Sequence, residues 1–196
     1  MNQQYPYAKG PGPTLDVGSV ERDEENVHLS HSSILIVDDN AQNVELLEAY
    51  LELLPCRIFT AVDGIEAIKI IEDPDQPNPD LILLDVMMPR MSGFEVCRKL
   101  KDDPGTRSIP VMMVTALNEL GDIERGVESG TDDFLTKPVN KLELITRVKS
   151  LLRVRHLKRE LDRTLAYIQD IEHGRSGGSR DDDPMSVNET GEDCVT

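Results

Sequence analysis

Three short runs are apolar at every position: ILIV at 34–37, LILL at 81–84 and VMMV at 111–114. A weaker fourth, DFLT, spans 133–136. Such runs fit β-strands covered on both faces. RIFTA at 57–61 is half polar and predicts a strand at a sheet edge. Between the runs, apolar residues take helical spacing. Val44, Leu46, Leu47, Tyr50, Leu51 and Leu54 predict a helix that ends at Pro55. Asp63-Gly64 opens a second, with Ile65, Ile68 and Ile71 inward. Pro74, Pro77 and Pro79 punctuate the loop after it. Phe94, Val96, Cys97 and Leu100 mark a third helix, a weaker fourth runs from about Asp122 to Glu128, and a fifth begins near Asn140 or Lys141.

Strand and helix alternate five times, which predicts an α/β fold with helices on both faces of a parallel sheet. Right-handed crossovers leave a flavodoxin-like, doubly wound five-stranded sheet of order 2-1-3-4-5, followed by an extended C-terminal helix. Residues 1–31 and 174–196 are rich in Gly, Pro and acids and poor in apolar residues, the composition of disordered tails. The expected domain is 32–153, with a helical extension over 154–173. In that extension Val154, Leu157, Leu161, Thr164, Ile168 and Ile171 alternate spacings of three and four, with Leu165 beside them. The pattern reads as a short coiled coil or as a helix folding back on its own domain. The cluster Arg147, Lys149, Arg153, Arg155, Lys158, Arg159 and Arg163 reads first as a solvated face.

The net charge of −16 argues against nucleic acid as the direct partner. No apolar run approaches a membrane span, and MNQQYPYAKGPGP lacks the apolar centre of a signal peptide, so no membrane association is expected. The three cysteines, Cys56, Cys97 and Cys194, are scattered and odd in number, which fits a reducing, cytoplasmic setting.

The chemistry gathers at the strand ends. Asp38 and Asp39 follow strand 1, and Asp85 ends the LILLD run. A 2-1-3-4-5 sheet places strands 1 and 3 side by side at its switch point, where ligands of such sheets bind. Three carboxylates there repel, and a hard cation such as Mg²⁺ relieves them. Taken alone, Asp38-Asp39 would read as a helix cap. Thr115 after strand 4 and Lys137 after strand 5 read alone as a strand-end cap and a surface charge. Together with the acids they read as an oxyanion cradle around a carboxylate able to form an aspartyl phosphate.

VDD (37–39), LLDVMMP (83–89), VTA (114–116) and FLTKP (134–138) stand in order along the chain. In these pieces residues 32–153 resemble the receiver domain of two-component response regulators. The wording DVMMPRMSGFEVCRKLK and ESGTDDFLTKP is most similar to the first receiver of the PleD-type regulators. The resemblance implies that Asp85 is the phosphoacceptor. It implies that Asp39 ligates Mg²⁺ directly, Asp38 directly or through water, and the Met87 backbone carbonyl as well. It gives Thr115 and Lys137 the phosphoryl oxygens, Phe134 the role of switch aromatic (a plain core Phe is the other reading), and Lys137-Pro138 a cis peptide. The implied partners are a sensor histidine kinase or phosphotransfer protein and an unknown downstream protein, with a homodimer left open. Ser92 and Arg90 depart from the family, which often has Asp and Gly there. Met87 and Leu117 are bulky and would shield an acyl phosphate from water; packing against neighbouring helices is their plainer reading.

Three functions follow from this reading. The first is a stand-alone phosphorylation switch without enzymatic turnover. The second is an aspartyl-phosphate phosphatase, weakened because haloacid-dehalogenase-type enzymes carry a second acid where Met87 stands. The third is an adaptor that assembles through the C-terminal helix regardless of phosphorylation. No GGDEF-like motif occurs, so a cyclic-di-GMP synthase activity is not expected of this sequence.

Overall fold

A computed structural model of the chain describes residues 29–116 and 120–176. The two tails expected to be disordered lie almost wholly outside the described residues, as do Leu117 and Cys194.

Five parallel strands, β1 (Ser33–Val37), β2 (Arg57–Ala61), β3 (Leu81–Asp85), β4 (Val111–Thr115) and β5 (Asp133–Thr136), lie in the order β2-β1-β3-β4-β5. The helices are α1 (Ala41–Leu51), α2 (Gly64–Glu72), α3 (Gly93–Asp102), α4 (Leu120–Glu128) and α5 (Lys141–Ser176). The sheet order and edge position of β2 agree with the apolar patterning. The three central strands are buried at every residue, whereas β2 and β5 alternate or expose part of their length.

Successive strand residues face opposite sides of a sheet, and that parity sorts the core into two layers. Leu35, Val37, Ile82, Leu84, Val111 and Met113 join Ala67, Ile68 and Ile71 of α2 and Phe94, Val96 and Leu100 of α3. Ile34, Ile36, Leu81, Leu83, Met112 and Val114 join Leu47 and Leu51 of α1 and Leu144, Val148 and Leu152 of α5.

Several element ends differ from the sequence reading. Helix α1 stops at Leu51, before Pro55, because the chain turns there and Leu54 N–H bonds to Leu51 C=O. Leu54 stays buried although it is no longer helical. Ile65, expected to point inward, is exposed at 36%, and Leu46, one of the apolar residues that predict α1, at 42%; the inward arcs of α1 and α2 are narrower than their apolar content. Helix α5 continues to Ser176. Contacts divide the chain after Lys158. From Arg159 onward, Leu161, Leu165, Tyr167, Ile168 and Ile171 are all exposed. The basic cluster is not simply solvated. Arg147 pairs with Asp133 and Glu143, and Arg155 donates to the carbonyl and hydroxyl of Ser108.

Capping decides where the helices begin. Asp63 is the N-cap of α2 and accepts from Ile65 N–H at 2.7 Å and Glu66 N–H at 2.9 Å. It is buried, and its other oxygen pairs with Arg90. Arg90 has φ of 70°, in the left-handed region that favours glycine. The Asp63 ion pair accompanies the arginine in that conformation. Asp63→Ala orphans two helix N–H groups and is expected to lower stability by about 1–2 kcal/mol in urea unfolding.

Candidate functional site

Register alone brings the chemistry together. Val37 pairs with Leu84, so Asp38 emerges beside Asp85. Asp85 pairs with Val114, so Thr115 comes one step beyond. Thr115 pairs with Thr136, and Lys137 N–H then bonds to Thr115 C=O at 2.8 Å. Four chain segments thus deliver Asp38, Asp85, Thr115 and Lys137 to one end of the sheet.

Their side chains form a compact charge cluster. The Lys137 ammonium donates to Asp85 Oδ1 at 2.7 Å and to Asp38 Oδ2 at 2.8 Å. Asp38 is 2% exposed and Asp85 5%. Two buried carboxylates side by side would repel; the shared ammonium compensates them. The remaining oxygens are also held. Asp85 Oδ2 accepts from Met87 N–H at 2.8 Å. Asp38 Oδ1 accepts from Asn40 N–H at 2.9 Å, and Asn43 Nδ2 reaches both Asp38 oxygens at 3.0 Å. The Lys137–Pro138 peptide bond is cis.

Burial pushes the Asp85 carboxyl above its ordinary range, even though the Lys137 bonds pull the other way. For Lys137, burial alone would lower the ammonium, but its bonds to Asp38 and Asp85 outweigh that and raise it. Lys137 therefore stays charged and draws Asp85 toward the ionised, nucleophilic form.

Asp39 differs from Asp38 and Asp85: it is exposed. The cap of α1 is Asn40, whose side chain accepts from Gln42 N–H, so neither Asp38 nor Asp39 serves as the cap that their position suggests. Among the described residues no three His, Cys, Asp or Glu side chains surround one point. The donor set nonetheless fits a hard divalent cation. Asp38 and Asp85 offer buried, converging carboxylate oxygens, Asp39 stands next in the chain, and the Met87 carbonyl lies in the turn whose N–H anchors Asp85. Met87 is 66% exposed, so most of its surface is left uncovered by the rest of the domain.

Two supporting residues were not singled out from the sequence. Asn43 grips Asp38 from the first turn of α1; an amide five residues after the acid, on the helix that leaves the same strand end, was the available signal. Gly93 opens α3, and a Cβ there would stand 2.3 Å from the Asp85 carbonyl oxygen and 2.9 Å from Val86 Cα. Both obstacles are backbone. Gly93→Ala must therefore displace the end of β3, and is expected to cost about 1–3 kcal/mol by urea unfolding. The same variant should slow any chemistry at Asp85.

Comparison with known proteins gives a consistent picture. A family model described as "Response regulator receiver domain" matches residues 34–149, more than half of the chain. The response regulator PleD of Caulobacter vibrioides is 52% identical over 128 residues, which make up 65% of this chain and 28% of PleD. The chain thus spans about a quarter of that relative, and about half of others such as PhoP of Bacillus subtilis, to which it is 42% identical over 63% of its length. Among solved structures, the receiver domain of a signal transduction histidine kinase from Syntrophus aciditrophicus superposes with a TM-score of 0.58. Its identity is 39%, over 63% of this chain and 91% of that one.

Proposed function

The chain belongs to the response regulator receiver domain family of two-component signalling, and we propose that it is a phosphorylation switch with Asp85 as phosphoacceptor. Domains of this family are phosphoacceptors in signalling rather than classical enzymes, and they receive phosphoryl groups from histidine kinases or phosphotransfer proteins. The observation that carries the assignment to Asp85 is its carboxylate at the end of β3, held by an ammonium that it shares with buried Asp38.

In this reading an Asp85 oxygen forms a bond to phosphorus while the phosphorus–nitrogen bond of a donor phosphohistidine breaks, and the imidazole leaves. Lys137 already lies at 2.7 Å from the reacting carboxylate, so its charge is in place before transfer. Thr115, one register step beyond Asp85, supplies a hydroxyl toward the incoming oxygens. Family members bind Mg²⁺ at the phosphorylation site; here Asp38, Asp39, Asp85 and the Met87 carbonyl would hold it. When bound, the ion offsets negative charge on the transferring phosphoryl group. Thr115, drawn toward the new oxygens, and Phe134 on the neighbouring strand would pass the change to a protein-binding surface.

Acetyl phosphate with Mg²⁺ tests the reading. A stoichiometric phosphoprotein by intact mass, cleaved by hydroxylamine and not formed when EDTA is present from the start, is expected. Turnover of many phosphates per chain would favour a phosphatase instead. Met87 should shield the acyl phosphate, so Met87→Asn is expected to shorten its lifetime several-fold in a dephosphorylation time course.

A second reading has one observation in its favour. From Arg159 onward α5 exposes Leu161, Leu165, Ile168 and Ile171 at intervals of three and four, the spacing of a coiled-coil seam. An adaptor assembled through this helix would pair with a second copy irrespective of phosphorylation. Sedimentation velocity on labelled protein and on Asp85→Asn tests the adaptor: it sediments as a dimer in both states. Among the described residues no helix is long and apolar enough to cross a membrane.

A further inference from the structure

Phe134 stands opposite Met113 in the β4–β5 ladder and packs on the core layer that contains Met113, Phe94 and Leu84. Strand parity puts Met113 and Thr115 on one face of β4. The Phe134 ring is therefore on the Thr115 side of the sheet. There it meets α4 at Gly126. A Cβ built on Gly126 would stand 2.3 Å from Phe134 Cζ and 2.4 Å from Cε1, with the Met113 sulfur at 3.5 Å. Carbon atoms do not approach so closely.

The backbone does not call for glycine at this position. Gly130 has a left-handed φ of 84°, whereas Gly126 lies within α4 and does not. Glycine inside a helix is unfavourable relative to alanine. What the missing side chain provides is room for the ring.

We propose that Gly126 is a positioning residue for the switch: its bare backbone is the seat that holds Phe134 inward, on the Thr115 face. The proposal rests on the reading of Asp85 and Thr115 as the phosphorylation site, which it extends by naming what holds the responding aromatic. A methyl group at 126 would meet the far end of the ring, which can swing about its side-chain torsions. Gly126→Ala should therefore evict the ring without touching Asp38, Asp85 or Lys137, and uncouple Phe134 from the phosphoryl group.

The test uses the full chain with 2-fluorophenylalanine in place of its three phenylalanines, Phe59, Phe94 and Phe134, so that the fluorine lies away from the ring end that meets Gly126. Phe134→Leu assigns the Phe134 fluorine resonance. In the parent protein that resonance should differ from the free amino acid and shift when acetyl phosphate and Mg²⁺ label Asp85. In Gly126→Ala it should move toward the free value and stay there on labelling, while the extent of labelling is unchanged. Melting temperature supplies an independent arm. Gly126→Ala should lower Tm beside Phe134, and raise it in the Phe134→Leu background, where the alanine improves the helix and meets no ring.

An unmoved resonance in Gly126→Ala, or a Tm change of the same sign and size in both backgrounds, would overturn the proposal. So would failure of both Gly126→Ala and the double variant to fold, since the clash would then lie elsewhere. If the parent protein takes no label at all, the phosphorylation reading fails, while the Tm comparison still decides whether Gly126 seats the ring.

Discussion

Replacing Asp85 by Asn is expected to abolish covalent labelling by acetyl phosphate while leaving the fold at least as stable as before. The amide has the size of the carboxylate but no nucleophilic oxygen anion, so no phosphorus–oxygen bond can form. Stability should not suffer, for two reasons. The residue is 5% exposed, and burial disfavours its charged form. It also stands against a second buried carboxylate, Asp38, whose repulsion the substitution removes. Lys137 keeps its 2.8 Å bond to Asp38 and so retains one anionic partner. Intact mass after donor incubation and a urea titration read the two halves of this expectation. Persistent labelling of Asp85→Asn would place the phosphoryl group on another residue.

Lys137→Met is expected to act in the opposite sense on stability and nearly as strongly on chemistry. The Lys137 side chain is 21% exposed and its ammonium is bonded to both acids. Without it, Asp38 and Asp85 face each other uncompensated, and breaking a buried charge cluster by removing one partner is costly. Partial exposure of the lysine places the loss in metal-free buffer at roughly 2–3 kcal/mol, below the range for fully buried pairs. The labelling rate should fall about 10²- to 10³-fold, the usual effect of deleting one preorganised charge or donor from a transition-state cradle. An Asp85→Asn/Lys137→Met double variant should regain part of the lost stability, because one of the two repelling charges is gone. A single Lys137→Met variant as stable as the parent would show that the shared ammonium does not hold the acids together.

The site was legible in the sequence to the extent that it lies at strand ends. Asp38, Asp85, Thr115 and Lys137 each follow an apolar run, and once the sheet order is granted the register brings them together. The helix faces were less legible. Leu46 and Ile65 fit the apolar spacing yet are exposed, because spacing defines an arc of a helix but not how much of that arc a neighbour covers. The acids were legible as a group but not in their individual duties. Asp80 and Asp132 are aspartates like Asp38, yet they accept the Ser33 and Val111 backbone N–H groups at the opposite end of strands β1 and β4.

The glycines and the arginine at 90 were the hardest to read. Gly93 and Gly126 are required by what stands opposite them, the Asp85 backbone and the Phe134 ring, and both are distant in sequence or turned by a loop. Arg90 departs from the glycine its conformation favours, and its partner Asp63 lies on another element.

By itself, the order of apolar and polar residues determined the five strands, the sheet order and the set of residues at its carboxyl edge. Those depend on local periodicity and on the few handed ways of connecting parallel strands. The tertiary structure alone decided that one ammonium serves two acids, that Asn43 grips Asp38, and that two glycines leave room for atoms from elsewhere. Such features are distances between separate chain segments, and they take values only when packing closes the space between them.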